Sequence, residues 1–155
     1  MTSLTLPDAT TEIGAAVEVV LAACDEADAI ILASFRRAIA VEAKPDASFV
    51  TEADTAVERA IRERITSRFP DHGLVGEEYG EAPSDSGRRW IIDPIDGTHN
   101  YMRGVPVYAT LLAFEIEGQL AVGAVSAPAL HRRWFSWQGG GSWAVETVPG
   151  GWDRG

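Results

Sequence analysis

An α+β domain, with helices layered on one face of a mostly antiparallel sheet, is the fold class this sequence predicts. Two stretches before residue 70 carry apolar residues at spacings of three and four, and the rest of the chain is built of short apolar runs separated by turn residues. A chain of 155 residues, 46% of them apolar, can bury one core of ordinary size.

Residues 8 to about 40 read as a long amphipathic helix, because Ile13, Val17, Val20, Cys24, Ala27, Ile31 and Phe35 share one helical face. Cys24 on that face reads as a small buried core residue. Lys44-Pro45-Asp46-Ala47-Ser48 reads as a turn or loop, and Phe49-Val50-Thr51 as a brief extended piece. A second helix is expected from about Glu52 to Phe69, with Ala53, Val57, Ile61 and Ile65 buried and Glu58 and Arg62 forming an exposed pair. Pro70-Asp71-His72-Gly73 ends it. Leu74-Val75 leads to Gly76-Glu77-Glu78, and 81–87 reads as a polar loop. Trp90-Ile91-Ile92 is a short apolar strand ending at Asp93. Tyr108 to Glu115 and Leu120 to Ser126 are expected as strands around a Glu117-Gly118 hairpin turn, with Arg133 to Trp137 as a third. From Gly139 the chain is expected to be irregular.

Composition narrows the function. Aspartate and glutamate number 23 against 13 lysines and arginines, a formal net charge of -10. Nucleic acid and anionic membranes need a basic face, so neither is an expected partner. An acidic protein still binds anions where metal ions carry the positive charge. Cys24 is the single cysteine, which excludes an intrachain disulfide and a cysteine zinc cluster. With no signal-like N-terminus and no apolar run long enough to span a bilayer, the expected location is the cytoplasm.

The chemistry concentrates in Trp90-Ile91-Ile92-Asp93-Pro94-Ile95-Asp96-Gly97-Thr98. An apolar strand ends and delivers two carboxylates. Pro94 fixes the backbone between them, Gly97 allows a tight turn, and a helix start near Thr98 would offer N–H groups to a phosphate. Hard oxygen ligands beside an anion site suit Mg²⁺. Taken alone, the segment is also an ordinary acidic turn. Gly76-Glu77-Glu78 alone is equally a solvated loop, and Val50-Thr51-Glu52-Ala53-Asp54 alone is a helix start capped by Thr51 or Asp54.

In order, Lys44, Val50-Thr51-x-x-Asp54, Gly76-Glu77-Glu78 and Trp90-Ile91-Ile92-Asp93-Pro94-Ile95-Asp96-Gly97-Thr98-x-Asn100 resemble the inositol monophosphatase family of magnesium-dependent phosphatases. Arg103-Gly104-Val105-Pro106, 125–130 and Arg132-Arg133-Trp134 look most like histidinol-phosphatases of the actinobacterial type. The resemblance implies the N-terminal half of that family's αβαβα sandwich. It implies two or more Mg²⁺ ions: Glu77, Asp93 and the carbonyl of Ile95 at one, Asp93 and Asp96 at a second. Thr98 and Asp54 would orient and deprotonate the attacking water, Gly97 and Thr98 would contact phosphate, and Lys44 would lie near the phosphate side. The implied partner is a small phosphorylated metabolite, and a homodimer is compatible with the family.

The resemblance covers 8–143, so the expected division is 1–143 as the N-terminal part of a phosphatase domain and 144–155 as an irregular tail outside the family pattern. Trp152-Asp153 imitates a family metal motif but is not expected to act as one. Three readings stay open: hydrolysis of histidinol phosphate, hydrolysis of inositol phosphate or another small ester, and an inactive truncated or frameshifted fragment. On the third, Leu111, Leu112, Phe114, Leu120, Val122 and Val125 lie in strands that would need cover from elsewhere, and Trp143 lacks an evident partner.

Overall fold

Thr11 starts the first helix. Its side chain accepts a hydrogen bond from the Gly14 N–H at 3.0 Å, satisfying one of the free amides at a helix start. The structure is a computed structural model, and it describes residues 4–37, 40–45, 49–149 and 151–152. The expected turn residues Asp46, Ala47 and Ser48, and Asp153, lie outside the described residues.

Helix α1 spans Glu12–Ser34, shorter at both ends than the expected 8 to about 40, and it matches the apolar stripe that starts at Ile13. At its end Phe35 turns to stack on Tyr101 and pack against Tyr108, and Arg36 takes a left-handed conformation, φ +60°. Strands β1 (Val41–Ala43) and β2 (Phe49–Thr51) form a small antiparallel ribbon, and α2 (Glu52–Arg68) follows at once. Then come β3 (Gly73–Gly76), β4 (Gly80–Ala82), β5 (Arg88–Asp96), the short α3 (Thr98–Met102), β6 (Ala109–Ile116), β7 (Gln119–Ala127), β8 (Arg132–Trp137), β9 (Gly141–Val148) and β10 (Gly151–Trp152). Among the described residues the main sheet has eight strands in the order β10-β9-β8-β7-β6-β5-β3-β4. Neighbours are antiparallel except β3 and β5, which run parallel. Glu117 and Gly118 both have positive φ, +49° and +75°, the geometry of a tight two-residue hairpin turn between β6 and β7.

Both long helices pack on one face of this sheet. Cys24, Ile31, Val57, Ile61 and Ile65 meet Trp90, Ile92, Leu112, Phe114 and Val122, all nearly or fully buried. Cys24 is the core residue expected, its thiol pushed up to about 12 by burial. Arg133 is fully buried across the helix–sheet boundary, where it donates to Ser126, Asp25 and Asp28.

The opposite face is open. Ile91, Leu111, Ala113, Val125, Trp134 and Ala144 line a shallow groove of about 560 Å³ there. Leu112, Phe114 and Val122 therefore do not need further cover, because strand alternation turns them to the helices, whereas Leu111 and Val125 point the other way.

Several expectations are corrected. The loop 81–87 begins as β4, paired to β3. The stretch from Gly139 is not irregular: β9 pairs with β8 from Arg132↔Glu146 to Trp137↔Gly141, so 144–148 continue the sheet. Trp143 has partners, since its Nε1 donates to the Gly140 carbonyl at 2.9 Å and its ring stacks on Trp137. Glu58 is not exposed. It is fully buried, and its pairing with Arg62 at 2.8 Å is part of a larger contact.

Candidate functional site

Two strand ends make the site. Parallel pairing sets Gly76 of β3 beside Ile92 of β5, so the next residues, Glu77 just past the end of β3 and Asp93 still paired to β6, follow side by side. After Asp93 the register with β6 shifts before resuming at Asp96↔Ala109. Pro94, which has no N–H to offer a partner strand, sits in that irregularity, and its carbonyl accepts from the Thr110 hydroxyl at 2.8 Å. Gly97 then turns the chain at φ +87°. A Cβ there would come within 3.1 Å of the Val107 carbonyl, so the turn into α3 requires glycine.

Helix α2 supplies the floor. Thr51 and Asp54 form a reciprocal cap: Thr51 N–H and Oγ1 donate to Asp54 Oδ2 at 2.8 and 2.5 Å, and Asp54 N–H donates back to Thr51 Oγ1 at 3.3 Å. Asp54 is 1% exposed. Burial raises its carboxyl above the usual range, with the Thr51 hydrogen bonds opposing. Its other oxygen, Oδ1, lies 3.2 Å from Thr98 Oγ1, and the Ile95 carbonyl lies 2.9 Å from the same hydroxyl. The single Thr98 proton thus has two acceptors within reach.

One turn along α2 from Asp54, the buried Glu58 carboxylate accepts from the Glu78 N–H at 2.6 Å, the Tyr79 N–H at 3.1 Å and Arg62 Nε at 2.8 Å. This side chain fixes the turn that presents Glu77, and a Cβ on Gly76 would overlap it. Sequence reasoning missed its role. The available signal was its position on the same face as Asp54 and Ile61, which contradicts a solvent-facing pair.

Asp93 is the most perturbed acid here. Burial first, and then the neighbouring Glu77 carboxylate, raise it from 3.8 to about 7, with Asp96 and Asp54 adding to the rise. Its Oδ1 is buried and has no hydrogen-bond partner. Lys44 Nζ lies 2.8 Å from Glu78 Oε1 and 3.5 Å from Glu77 Oε1, so the lysine is engaged with these acids.

The structure thus gathers Asp54, Ile95 and Thr98 at one point and sets Glu77 against Asp93, with Asp96 and Asp54 near enough to act on that carboxyl and Gly97 capping the helix that follows. As they stand, no three acidic, histidine or cysteine side chains among the described residues close around one ion. The donor set still fits a hard divalent cation. All its members are oxygens, and a cation would satisfy the orphaned Asp93 Oδ1 and offset the carboxylate repulsion. Among the described residues, no helix is long and apolar enough to cross a membrane.

Comparison with known proteins places this arrangement. The chain is 46% identical over 125 residues to the histidinol-phosphatase of Mycobacterium tuberculosis, covering 80% of this chain and 48% of that one. It is 50% identical over 127 residues to the histidinol-phosphatase of Streptomyces coelicolor, covering 79% and 44%. The chain therefore spans about half the length of these relatives. The fold is similar to the crystal structure of the extragenic suppressor protein suhB from Bartonella henselae, with a TM-score of 0.80 at 28% identity, covering 84% of this chain and 52% of that one. The inositol monophosphatase family model matches residues 14–149, which includes the stretch 144–149 expected to lie outside the family pattern. Because that match takes in both strand ends, the floor helix and the sheet beyond them, the chain belongs to the inositol monophosphatase family.

Proposed function

We propose that this chain contributes the catalytic carboxylates of a Mg²⁺-dependent phosphomonoesterase whose substrate is histidinol phosphate. The observation that carries the reading is Asp93, a carboxylate with a buried, unpartnered oxygen held against Glu77. Packing acids together has no evident structural benefit, and a dianionic phosphate ester could not approach them uncompensated. Bound cations resolve both conflicts. Two histidinol-phosphatases at 46% and 50% identity support that substrate ahead of inositol phosphate.

Glu77, Asp93, Asp96 and the Ile95 carbonyl are the groups that would hold Mg²⁺. When bound, the metal ions lower the pKa of a coordinated water and neutralise the phosphate. The protein's part is orientation and proton handling. Thr98 donates its proton toward Asp54 Oδ1 and so turns a lone pair outward to accept from water. Asp54 is suited to receive that proton because burial raises its basicity while Thr51 holds the other oxygen still. Gly97, lacking a side chain, lets phosphate approach the backbone at the start of α3. We place the reaction in the cytoplasm, with a small phosphorylated metabolite as partner and no role for nucleic acid or membrane.

The test is phosphate release from histidinol phosphate and from inositol phosphate, with Mg²⁺ and with EDTA. Mg²⁺-dependent release favouring histidinol phosphate is the expected result. No release from either ester at saturating Mg²⁺ overturns the reading.

A further inference from the structure

We propose that Lys44 is a built-in competitor of the metal: without metal its ammonium occupies Glu77 and Glu78, and it yields Glu77 when a divalent cation binds. The inference rests on the reading of Glu77 as a metal ligand and adds what sets the metal concentration at which the site assembles.

The two contacts of Lys44 are unequal. The bond to Glu78 is 2.8 Å long, and the Glu78 side chain is 6% exposed. The approach to Glu77 is 3.5 Å, and that side chain is 46% exposed. Glu78 is therefore the anchor and Glu77 the carboxylate free to leave. The turn beneath does not move with it, since Glu58 holds the amides of Glu78 and Tyr79. Lys44 itself lies just beyond β1, in the small ribbon outside the main sheet, so its position can adjust without disturbing a sheet hydrogen bond.

Charge points the same way. Lys44 is the single lysine in the sequence, and it sits against Glu77, an acid expected to hold metal, and its neighbour Glu78. An ammonium is a compact point charge that can stand where a hydrated cation would. It also accounts for the acids failing to close around one ion: Glu77 is shared between Lys44 and Asp93.

The experiment is Mn²⁺ titration of the metal-free, substrate-free protein, with free Mn²⁺ read by electron paramagnetic resonance. Lys44→Met is expected to bind Mn²⁺ about tenfold more tightly than the unmodified chain. The double variant Lys44→Met/Glu78→Gln keeps the net charge while removing the hold on Glu77, and it is expected to remain about threefold tighter. Circular dichroism verifies that both are folded. If the unmodified chain binds Mn²⁺ and Lys44→Met binds equally or more weakly, the competition is refuted while the metal reading stands. If only the single variant binds more tightly, Lys44 acts through its field alone and does not hold Glu77, which also refutes the proposal. If none of the three binds, both the metal reading and this inference fall.

Discussion

Replacing Asp93 with asparagine should stabilise the metal-free chain while abolishing the proposed phosphatase activity. In the folded protein the Asp93 carboxyl is raised from 3.8 to about 7 by burial and by Glu77. At full value that rise corresponds to about 4 kcal/mol of folding free energy. The carboxyl is only partly buried, and solvent screening reduces the effect to roughly 1–2 kcal/mol. A raised acid costs stability only where it must ionise. Near pH 4 it is largely protonated in the folded chain and the penalty is small. The penalty grows as the pH climbs from 3.8 toward 7 and is complete above that. Asparagine never ionises, and its amide can donate to Glu77. At pH 8 in EDTA, Asp93→Asn should melt about 3–6 °C higher than the unmodified chain, with the difference nearly gone at pH 4. Adding Mg²⁺ at pH 8 should raise the melting temperature of the unmodified chain and leave the variant unmoved. Thermal melts followed by circular dichroism measure the stability shifts, and phosphate release with Mg²⁺ measures the activity. A variant that melts at or below the unmodified chain at pH 8 in EDTA would show that Asp93 carries no strain from its neighbours.

Thr98→Ala should lower kcat on the order of a hundredfold with a smaller change in KM, because the proposed role of its hydroxyl is to orient water toward the transition state; an unchanged kcat with a raised KM would make Thr98 a binding residue. Glu58→Ala should cost about 2–3 kcal/mol in urea unfolding, since two amides and Arg62 lose their acceptor; a loss below about 0.5 kcal/mol would contradict the buried contact. His72 accepts from Trp90 Nε1 at 3.0 Å, and burial lowers its pKa from 6.5, with Arg88 adding to the drop and Glu12 and Asp71 opposing it. Its contribution should be complete above pH 6.5 and fall as the pH drops toward the depressed folded value, a dependence that His72→Phe should remove from urea titrations. The open sheet face should bind a hydrophobic dye, and Trp134→Lys should reduce that binding; equal fluorescence would show that the dye binds elsewhere.

Much of the fold was legible because single elements declare themselves. The stripe Ala53, Val57, Ile61, Ile65 and the hairpin at Glu117-Gly118 need only local spacing and turn chemistry to be read. What escaped was decided across elements. The expected helix runs on to about residue 40, but the chain turns at Phe35, where that ring finds Tyr101 and Tyr108, far along the sequence. Glu58 and Arg62 look like a surface pair at helical spacing until the turn after β3 delivers two amides onto the carboxylate. The glycines at 139–141 suggest an irregular stretch, yet the residues after them form an outer strand. In the site, Asp93, Asp96 and Gly97 were visible because one strand end holds them all. Joining Glu77 to them depended on β3 lying parallel to β5, and a sequence states this only indirectly. The engagement of Lys44 with Glu78 left no sequence signal, since an isolated lysine does not reveal which anion it meets.

The Glu58 contact also has a kinetic side. Glu78 and Tyr79 belong to a turn between β3 and β4, where backbone amides ordinarily exchange with solvent through small local fluctuations. Here their acceptor is a side chain of α2, seated in the core beside Val57 and Ile61. Releasing those two protons requires displacing a buried carboxylate or opening the helix that bears it. Their deuterium uptake should therefore match the slow protons of α2 rather than the fast ones of neighbouring turns. The loop that presents Glu77 would then have the lifetime of the core, so the groups it displays would be lost together with the helix and not before it.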